Sequence, residues 1–281
     1  MRTVLSALSV LLAVVLTAVA VPASWLDRNV VDESGFVQLL SPMSTDKQLQ
    51  STLISNLDTA VISDSSIPSV LRPVAQQAVQ GLATSLVSDP GFPQAWNDTL
   101  RASHQINFSP DKASANAFEL ELRPVAALMA KRVGSSLNVN IPGPSTLQVQ
   151  VGTAQQRSWL TGAQDLAALS LPLSLGAVLA FVLGLLFARR RGVALAWAGI
   201  GLLLVAALYQ GAVGLVPAVA SSQGSAGSMS STFGARAAEL AAANFETWIA
   251  AVAIAGAALL VFGAVLGAVR RRQRVRTDAR W

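Results

Sequence analysis

The sequence contains no cysteine and only one histidine, His104. The lack of cysteine excludes disulfide bonds, thiolate metal sites and cysteine nucleophiles. A single histidine cannot form the histidine clusters on which most protein metal sites depend. Phosphate-binding glycine loops and the G-x-S-x-G nucleophile elbow are also missing. We therefore expect no catalytic residue, no metal and no other cofactor, and we interpret the chain as a non-enzymatic protein.

Charged residues are scarce and hydrophobic residues are abundant. Of the 281 residues, 12% are charged and 52% are hydrophobic, and the mean hydropathy is +0.51. These values lie outside the usual range of a soluble globular domain. The composition therefore predicts a membrane protein.

Four apolar runs are long enough to cross the hydrocarbon layer of a bilayer as helices, which takes roughly 20 residues each. The runs cover residues 4–23, 166–188, 192–212 and 247–269. None of them contains a charged residue or a histidine, although coupled transporters and proton relays usually carry such groups within their spans. The runs thus predict four transmembrane helices without an ionisable pathway.

These runs predict a mainly α membrane protein with four transmembrane helices and a small α+β extracytoplasmic domain inserted between helices 1 and 2. The predicted segments, in chain order, are a signal-anchor helix at 1–23, the extracytoplasmic domain at 24–165, helix 2 at 166–188, a cytoplasmic turn with helix 3 at 189–212, an extracytoplasmic Gly/Ser-rich loop with a short helix at 213–246, helix 4 at 247–269, and a basic cytoplasmic tail at 270–281.

The first run has two interpretations. Ala18-Val19-Ala20 resembles the small-residue cleavage site of a secretory signal peptide. The run is long, however, and only Arg2 precedes it as a basic residue. We expect an uncleaved anchor.

The arginines predict the orientation of the chain, because basic residues in short loops are retained on the cytoplasmic side. Arg2 and two clusters follow the in-out alternation of the runs; the clusters are Arg189, Arg190, Arg191 and Arg270, Arg271, Arg272. Both termini are then cytoplasmic and the main domain lies outside. The pI of about 10.7 reflects these arginines, which are predicted to be cytoplasmic. Because the tail directly follows a span, we expect it to contact anionic lipid headgroups rather than nucleic acid.

The segment between the first two runs changes its hydrophobic period along the chain. Helical spacing predicts helices over 46–61, 68–88, 92–109 and 125–133, the last ended by Gly134. Two-residue alternation predicts strands over 118–122 and 147–151. The economical arrangement is a small sheet packed against helices.

Several short motifs in this segment occur together: Ser34-Gly35-Phe36-Val37, Leu40-Ser41-Pro42-Met43, Leu71-Arg72-Pro73, Ser88-Asp89-Pro90-Gly91-Phe92 with Trp96 and His104, and Phe118 to Val125. The succession resembles a group of actinobacterial integral membrane proteins with an extracytoplasmic helical domain between the first and second membrane helices. The resemblance covers roughly the first 190 residues. It implies the architecture described above and no catalytic or binding residue.

Few polar side chains are candidates for function. His104, about two turns after Trp96 on one predicted helix, forms with it a candidate partner contact, against the alternative of a histidine hydrogen-bonded at the domain surface. Glu119 and Glu121 lie on one face of a predicted strand, which we take to be its solvent face, because the leucines alternate with them. An envelope enzyme would have to use these two carboxylates and Asp111, without a recognisable cleft.

Small residues within the spans predict close helix packing. Gly176, Ala180 and Gly184 line one face of helix 2, and Gly263 with Gly267 forms a G-x-x-x-G pair in helix 4. These faces close the protein's own bundle or contact the helix of a partner, and we favour the first.

The sequence favours an accessory or scaffold subunit of a larger cell-envelope or membrane complex, with the outer domain as its interaction module. The partner is then another membrane protein or a second copy of this chain. The alternative is a component of a small-solute transporter or channel, with a pore built in an oligomer from Gln210 and the Ser170 and Ser174 side of helix 2. Tyr209 and Gln210 are otherwise interfacial anchors.

Overall fold

The computed structural model describes residues 2–53, 88–109, 118–137, 145, 147–151, 154–221 and 229–278. The chain divides into two compact units. The bundle unit comprises Met1–Arg28, Ala163–Val216 and Ala242–Trp281. The helix-strand unit comprises Asn29–Gly162 and Pro217–Ala241.

Most of the described residues are helical, so the prediction of a mainly α protein is confirmed. The elements, in chain order, are α1 (Arg2–Leu26), a π-helical turn (Asp27–Val31), α2 (Glu33–Leu40), a 3-10 turn (Ser41–Thr45), α3 (Phe92–Phe108), β1 (Glu119–Glu121), α4 (Arg123–Leu137), β2 (Gln148–Gln150), α5 (Ala154–Ala168), α6 (Ser170–Phe187), α7 (Arg191–Ser221) and α8 (Met229–Asp278). Residues 47–53 are helical as well.

Four helical stretches are long and apolar enough to cross a membrane, as predicted. They are Arg2–Val31, Ser170–Phe187, Arg191–Val216 and Ser230–Val269. The second is shorter than the predicted run, because α5 ends at Ala168 and a new helix begins at Ser170. Pro172 explains the break: its ring would clash with the Ala168 carbonyl in a continuous helix, whereas proline is tolerated in the first turn of a new one.

The helices of the bundle unit alternate in direction. Ser6 in α1 donates a 2.7 Å hydrogen bond to the carbonyl of Gly184 near the end of α6, while Leu16 lies beside Gly176 near its start. These two helices are therefore antiparallel. Gly184 is buried, and a Cβ on it would come within 2.8 Å of the Val10 side chain. Ala180 is buried on the same helix.

Glycines bring α7 and α8 into backbone contact. A Cβ on Gly199 would lie 2.5 Å from the Gly256 carbonyl oxygen, and one on Gly263 would lie 2.5 Å from the Gly192 carbonyl oxygen. The glycines on each helix are seven residues apart, which is the repeat of a left-handed helix pair. We call these four residues the glycine seam. Gly267, the second glycine of the predicted G-x-x-x-G pair, contributes only its backbone: a Cβ on Gly192 would lie 3.2 Å from the Gly267 nitrogen, whereas a Cβ on Gly267 itself would meet nothing within 4 Å.

Tyr209 compensates for a proline in the first span. Pro22 lies inside α1 and has no backbone N–H, so the carbonyl of Ala18, four residues earlier, lacks its helical donor. The Tyr209 hydroxyl of α7 donates a 2.7 Å hydrogen bond to this carbonyl. An unpaired carbonyl is costly in hydrocarbon, so this bond satisfies a group that the sequence of α1 leaves open.

The helix-strand unit has its own core around α3 and a two-stranded sheet. β1 and β2 pair antiparallel, with Glu119 opposite Gln150, Leu120 opposite Val149 and Glu121 opposite Gln148. The largest fully buried side chains come from the 3-10 turn, α3 and the region of β1, and they include Met43, Phe92, Trp96, Leu100, Leu120 and Leu122.

The predicted elements of this unit are matched in part. The helix predicted over 92–109 spans Phe92–Phe108, and the strands predicted over 118–122 and 147–151 are three residues long each. Gly134 does not end its helix, because α4 continues to Leu137. Glycine lowers helix stability by about 1 kcal/mol without forcing a stop. The helix predicted over 68–88 and the second half of that over 46–61 lie almost entirely outside the described residues.

Two alanine substitutions that differ by four positions test the glycine seam. Gly263→Ala should destabilise the bundle by about 1–3 kcal/mol, because the added methyl group meets backbone atoms of α7. Gly267→Ala should be tolerated, since it meets nothing within 4 Å. Thermal unfolding of both full-length variants in mild detergent measures the difference; equal midpoints would contradict the seam.

A double-mutant cycle tests the pairing of Tyr209 with Ala18. Tyr209→Phe should destabilise the protein by about 1 kcal/mol, because it leaves the Ala18 carbonyl without a donor. In a Pro22→Ala background the helix itself can satisfy that carbonyl, so the same substitution should cost measurably less. The measurement is the free energy of unfolding in detergent of the wild type, of each single variant and of the double variant. Purely additive effects would show that the hydroxyl has a different role.

Candidate interaction surface

Polar side chains of α3 complete the edge of β1 that β2 leaves open. The Asn107 amide donates to the Glu119 carbonyl at 2.6 Å and accepts from the Glu119 N–H at 3.0 Å. The Ser103 hydroxyl accepts from the Glu121 N–H at 2.8 Å. A helix thereby provides the bonds of a neighbouring strand, which an edge strand would otherwise leave unpaired. Both side chains are buried, so we assign them to the fold.

Glu121 does not lie on a solvent face, and that prediction is wrong. Its side chain is 3% exposed. The carboxylate accepts hydrogen bonds from the Arg123 N–H at 3.2 Å, the Leu147 N–H at 3.4 Å and the Gln148 amide at 3.2 Å. These donors allow burial, because a buried carboxylate is tolerated when it is hydrogen-bonded. Glu119 is half-buried, and Asp111 lies outside the described residues.

His104 and Trp96, the candidate partner contact, are both core residues. Trp96 is fully buried, and its indole N–H donates to the Leu40 carbonyl at 3.1 Å. His104 is 6% exposed, stacks on Phe108 with ring centroids 4.1 Å apart, and its Nε2 lies 3.2 Å from the Val30 carbonyl oxygen. The structure therefore contradicts an exposed contact through these rings. Helical spacing did not show that the inward face of α3 extends as far as His104.

Asp89 stabilises the start of α3 and links it to α4. Its carboxylate accepts from the Gly91 N–H at 2.7 Å and forms an ion pair with Arg132 of α4. The bond to Arg132, followed by the Gly91 amide, holds the pKa of Asp89 below its ordinary value of 3.8. The quoted motif Ser88 to Phe92 thus connects two helices.

The first turns of α8 belong to the core of the helix-strand unit, which we did not predict. Phe233 is 6% exposed and stacks on Phe118 with centroids 6.2 Å apart. Ala237 and Leu240 pack against the same core, and Ser230 donates to the Val151 carbonyl at 2.8 Å. The spacing of positions 233, 237 and 240 is that of a helical apolar face. This spacing was not recognised, because the longer apolar run at 247–269 follows it directly in the sequence.

An ion cluster connects the start of α8 to the 3-10 turn. Arg236 pairs with both Asp46 and Glu239. Asp46 also accepts from the Leu49 N–H at 2.8 Å. Burial disfavours the charged form of Asp46, but the Leu49 amide and the Arg236 guanidinium together favour it more strongly, so the pKa of Asp46 is lowered from 3.8.

Two hollows adjoin the 3-10 turn, and both are bordered by Pro42 and Thr45. The smaller, of about 270 Å³, is lined by the Arg236 ion cluster. The larger, of about 530 Å³, is lined by residues of the 3-10 turn, α2 and α3 that are mostly polar in type; they include Glu33, Gln38, Asn97 and Arg101. In the larger hollow the buried Asn97 Oδ1 has no hydrogen-bond partner among the described residues. We call the two hollows together the turn surface.

The residues described by the structure contain no group of three His, Asp or Glu side chains that could hold a metal ion. Of the polar groups proposed for a pore, Ser174 donates to the Ser170 carbonyl at 2.7 Å and Gln210 is exposed. Arg189, Arg190 and Arg191 are exposed at the junction of α6 and α7. Arg270, Arg271 and Arg272 lie within α8, and their side chains are outside the described part of the chain.

Comparison with known proteins identifies no relative. No family model, no curated protein and no solved structure matches the chain. The resemblance to actinobacterial membrane proteins therefore stays a prediction. The quoted motifs that the structure describes lie largely in the core of the helix-strand unit, where they pack, bond and terminate helices.

The lowered pKa of Asp46 predicts a loss of stability in acid. Because its folded-state pKa lies below the unfolded value, its contribution is complete above about pH 5 and is lost as the pH falls through the folded pKa. Asp46→Asn should lower the melting temperature at pH 7 and should reduce the further drop between pH 7 and pH 3. Thermal unfolding of the full-length chain at both pH values measures this; an undiminished drop would contradict it.

Proposed function

We propose that this protein is an accessory or scaffold subunit of a membrane complex, with the helix-strand unit as an extracytoplasmic α+β domain that contacts the partner. The chain would be a non-enzymatic multi-pass protein with both termini in the cytoplasm. The partner would be another membrane protein or a second copy of this chain.

One observation carries the proposal. The single helix α8, Met229–Asp278, belongs to both units. Its residues Phe233, Ala237 and Leu240 are part of the helix-strand core, whereas Gly256 and Gly263 pack against α7 in the bundle. A helix that continues from a folded domain into a membrane span suits a protein in which binding of a partner to the domain is coupled to the packing of the membrane helices. It is not required of an enzyme that is merely anchored to a membrane.

The directions of the helices support the proposed orientation. Ser6 lies beside Gly184, and Gly192 lies beside Gly263, so the start of α1, the α6–α7 junction and the end of α8 occur at one end of the bundle. The arginines used for the prediction belong to these segments. The acidic residues Asp27, Asp165 and Glu246 lie beside the opposite ends of the predicted spans 4–23, 166–188 and 247–269. This segregation favours the arginine end as cytoplasmic.

The turn surface is the part of the helix-strand unit that we assign to the partner. It combines exposed charges of both signs, Arg101 in the larger hollow and Glu239 in the smaller, with uncharged polar side chains such as Gln38. Interfaces of non-obligate complexes are about as polar as the rest of a protein surface. A mixed-charge hollow therefore suits a partner that binds and dissociates.

Site-specific photo-crosslinking in native membranes tests this assignment. A photoreactive residue at Gln38, in the larger hollow, or at Glu239, in the smaller, should produce a discrete crosslinked species. The matched control is Lys131, which is exposed on α4 and lines neither hollow. Mass spectrometry of the product identifies a partner or a second copy.

Two results would oppose the proposal. Crosslinking at Lys131 as strong as at Gln38 and Glu239 would move the interface away from the turn surface. The absence of any crosslinked product, together with a strictly monomeric native mass after mild extraction, would remove the accessory function itself.

A further inference from the structure

A large apolar groove runs between α1 and α7 within the bundle unit. Its volume is about 1000 Å³, which is at the upper end of the range of small-molecule sites. Its walls are mainly aliphatic and aromatic, and they include Val10, Leu11 and Val14 of α1 and Val193, Trp197 and Leu204 of α7.

The groove follows from the sizes of its side chains. At Gly201 the two helices touch, since an added Cβ would lie 2.6 Å from the Val14 side chain. Toward the start of α1 the groove is bordered by Ala7 and Ala194, whose side chains are single methyl groups. These residues leave a space that neither α6 nor α8 lines.

The polar groups of the groove are concentrated at one end. Arg189 and Arg190 border it there, and Thr3 adds a hydroxyl group. α7 begins at Arg191, so the positive end of its helix dipole lies at the same place. Among the described residues neither Arg189 nor Arg190 forms an ion pair with a carboxylate. The groove thus has uncompensated positive charge at its mouth and an apolar interior.

We infer that this groove binds one anionic glycerophospholipid, with its acyl chains along the apolar walls and its phosphate against Arg189 and Arg190. An amphiphile matches a site with polar groups at only one end, and basic pockets between membrane helices suit anionic headgroups. A zwitterionic lipid would bring its own cation to the arginines and bind less well. The inference does not depend on the proposed function, because it concerns only the bundle unit.

Native mass spectrometry of the full-length protein, with phosphatidylglycerol or phosphatidylcholine added in detergent, tests this site. We expect one phosphatidylglycerol molecule to be retained under activation that removes phosphatidylcholine. The double variant Arg189→Gln/Arg190→Gln should lose this preference by a factor on the order of ten. Arg191→Gln is the matched control, because Arg191 is adjacent and has the same charge but does not border the groove.

A second pair of variants leaves every arginine in place. Ala7→Trp should fill the groove and abolish retention of the lipid, whereas Ala207→Trp, on an exposed face of α7 outside the groove, should retain it. This pair separates binding in the groove from a general attraction of lipid to the basic end.

Three results would overturn the inference. Equal retention of the two lipids would remove the anionic specificity, and unchanged retention in Ala7→Trp would place the lipid elsewhere. A dimer that dissociates in Ala7→Trp but not in Ala207→Trp would assign the groove to a helix of a second copy.

Discussion

Close backbone contact between α7 and α8 is the constraint on which the bundle depends. Inside hydrocarbon, helices gain nothing from hiding apolar surface from water, so packing and internal hydrogen bonds must hold them together. The glycine seam provides the packing, because Gly192 and Gly199 meet Gly263 and Gly256 without intervening side chains. Two polar bonds supplement it: Ser6 donates to the Gly184 carbonyl, and Tyr209 donates to the Ala18 carbonyl, which Pro22 leaves without a helical donor. The same preference for small side chains leaves the groove beside α1 open.

In the helix-strand unit, buried polar side chains form hydrogen bonds with backbone groups that apolar residues could not satisfy. A two-stranded sheet has two open edges, and α3 closes one of them with Ser103 and Asn107. Glu121 is buried for a similar reason, since its carboxylate binds backbone amides next to both strands. Some residues of the short motifs noted in the sequence thus have a structural reason, as Glu121 does in the motif from Phe118 to Val125.

The sequence predicted the spans well and the polar contacts poorly, for physical reasons. A run of 20 apolar residues is a local signal, and so is the two-residue alternation of Phe118, Leu120 and Leu122. The burial of Glu121 depends on amides more than 20 residues away, and the packing of Gly263 against Gly192 depends on another helix. No local pattern encodes such partners. The core residues of α8 were accessible from their spacing but were obscured by the apolar span that follows them.

The proposed topology places Gln38 outside the cell and Thr277 in the cytoplasm. Because the chain has no cysteine, a single introduced cysteine reports its own location. Labelling of intact cells with a membrane-impermeant maleimide should modify Gln38→Cys and should spare Thr277→Cys until the cells are lysed. Labelling of Thr277→Cys in intact cells, with Gln38→Cys protected, would contradict the account.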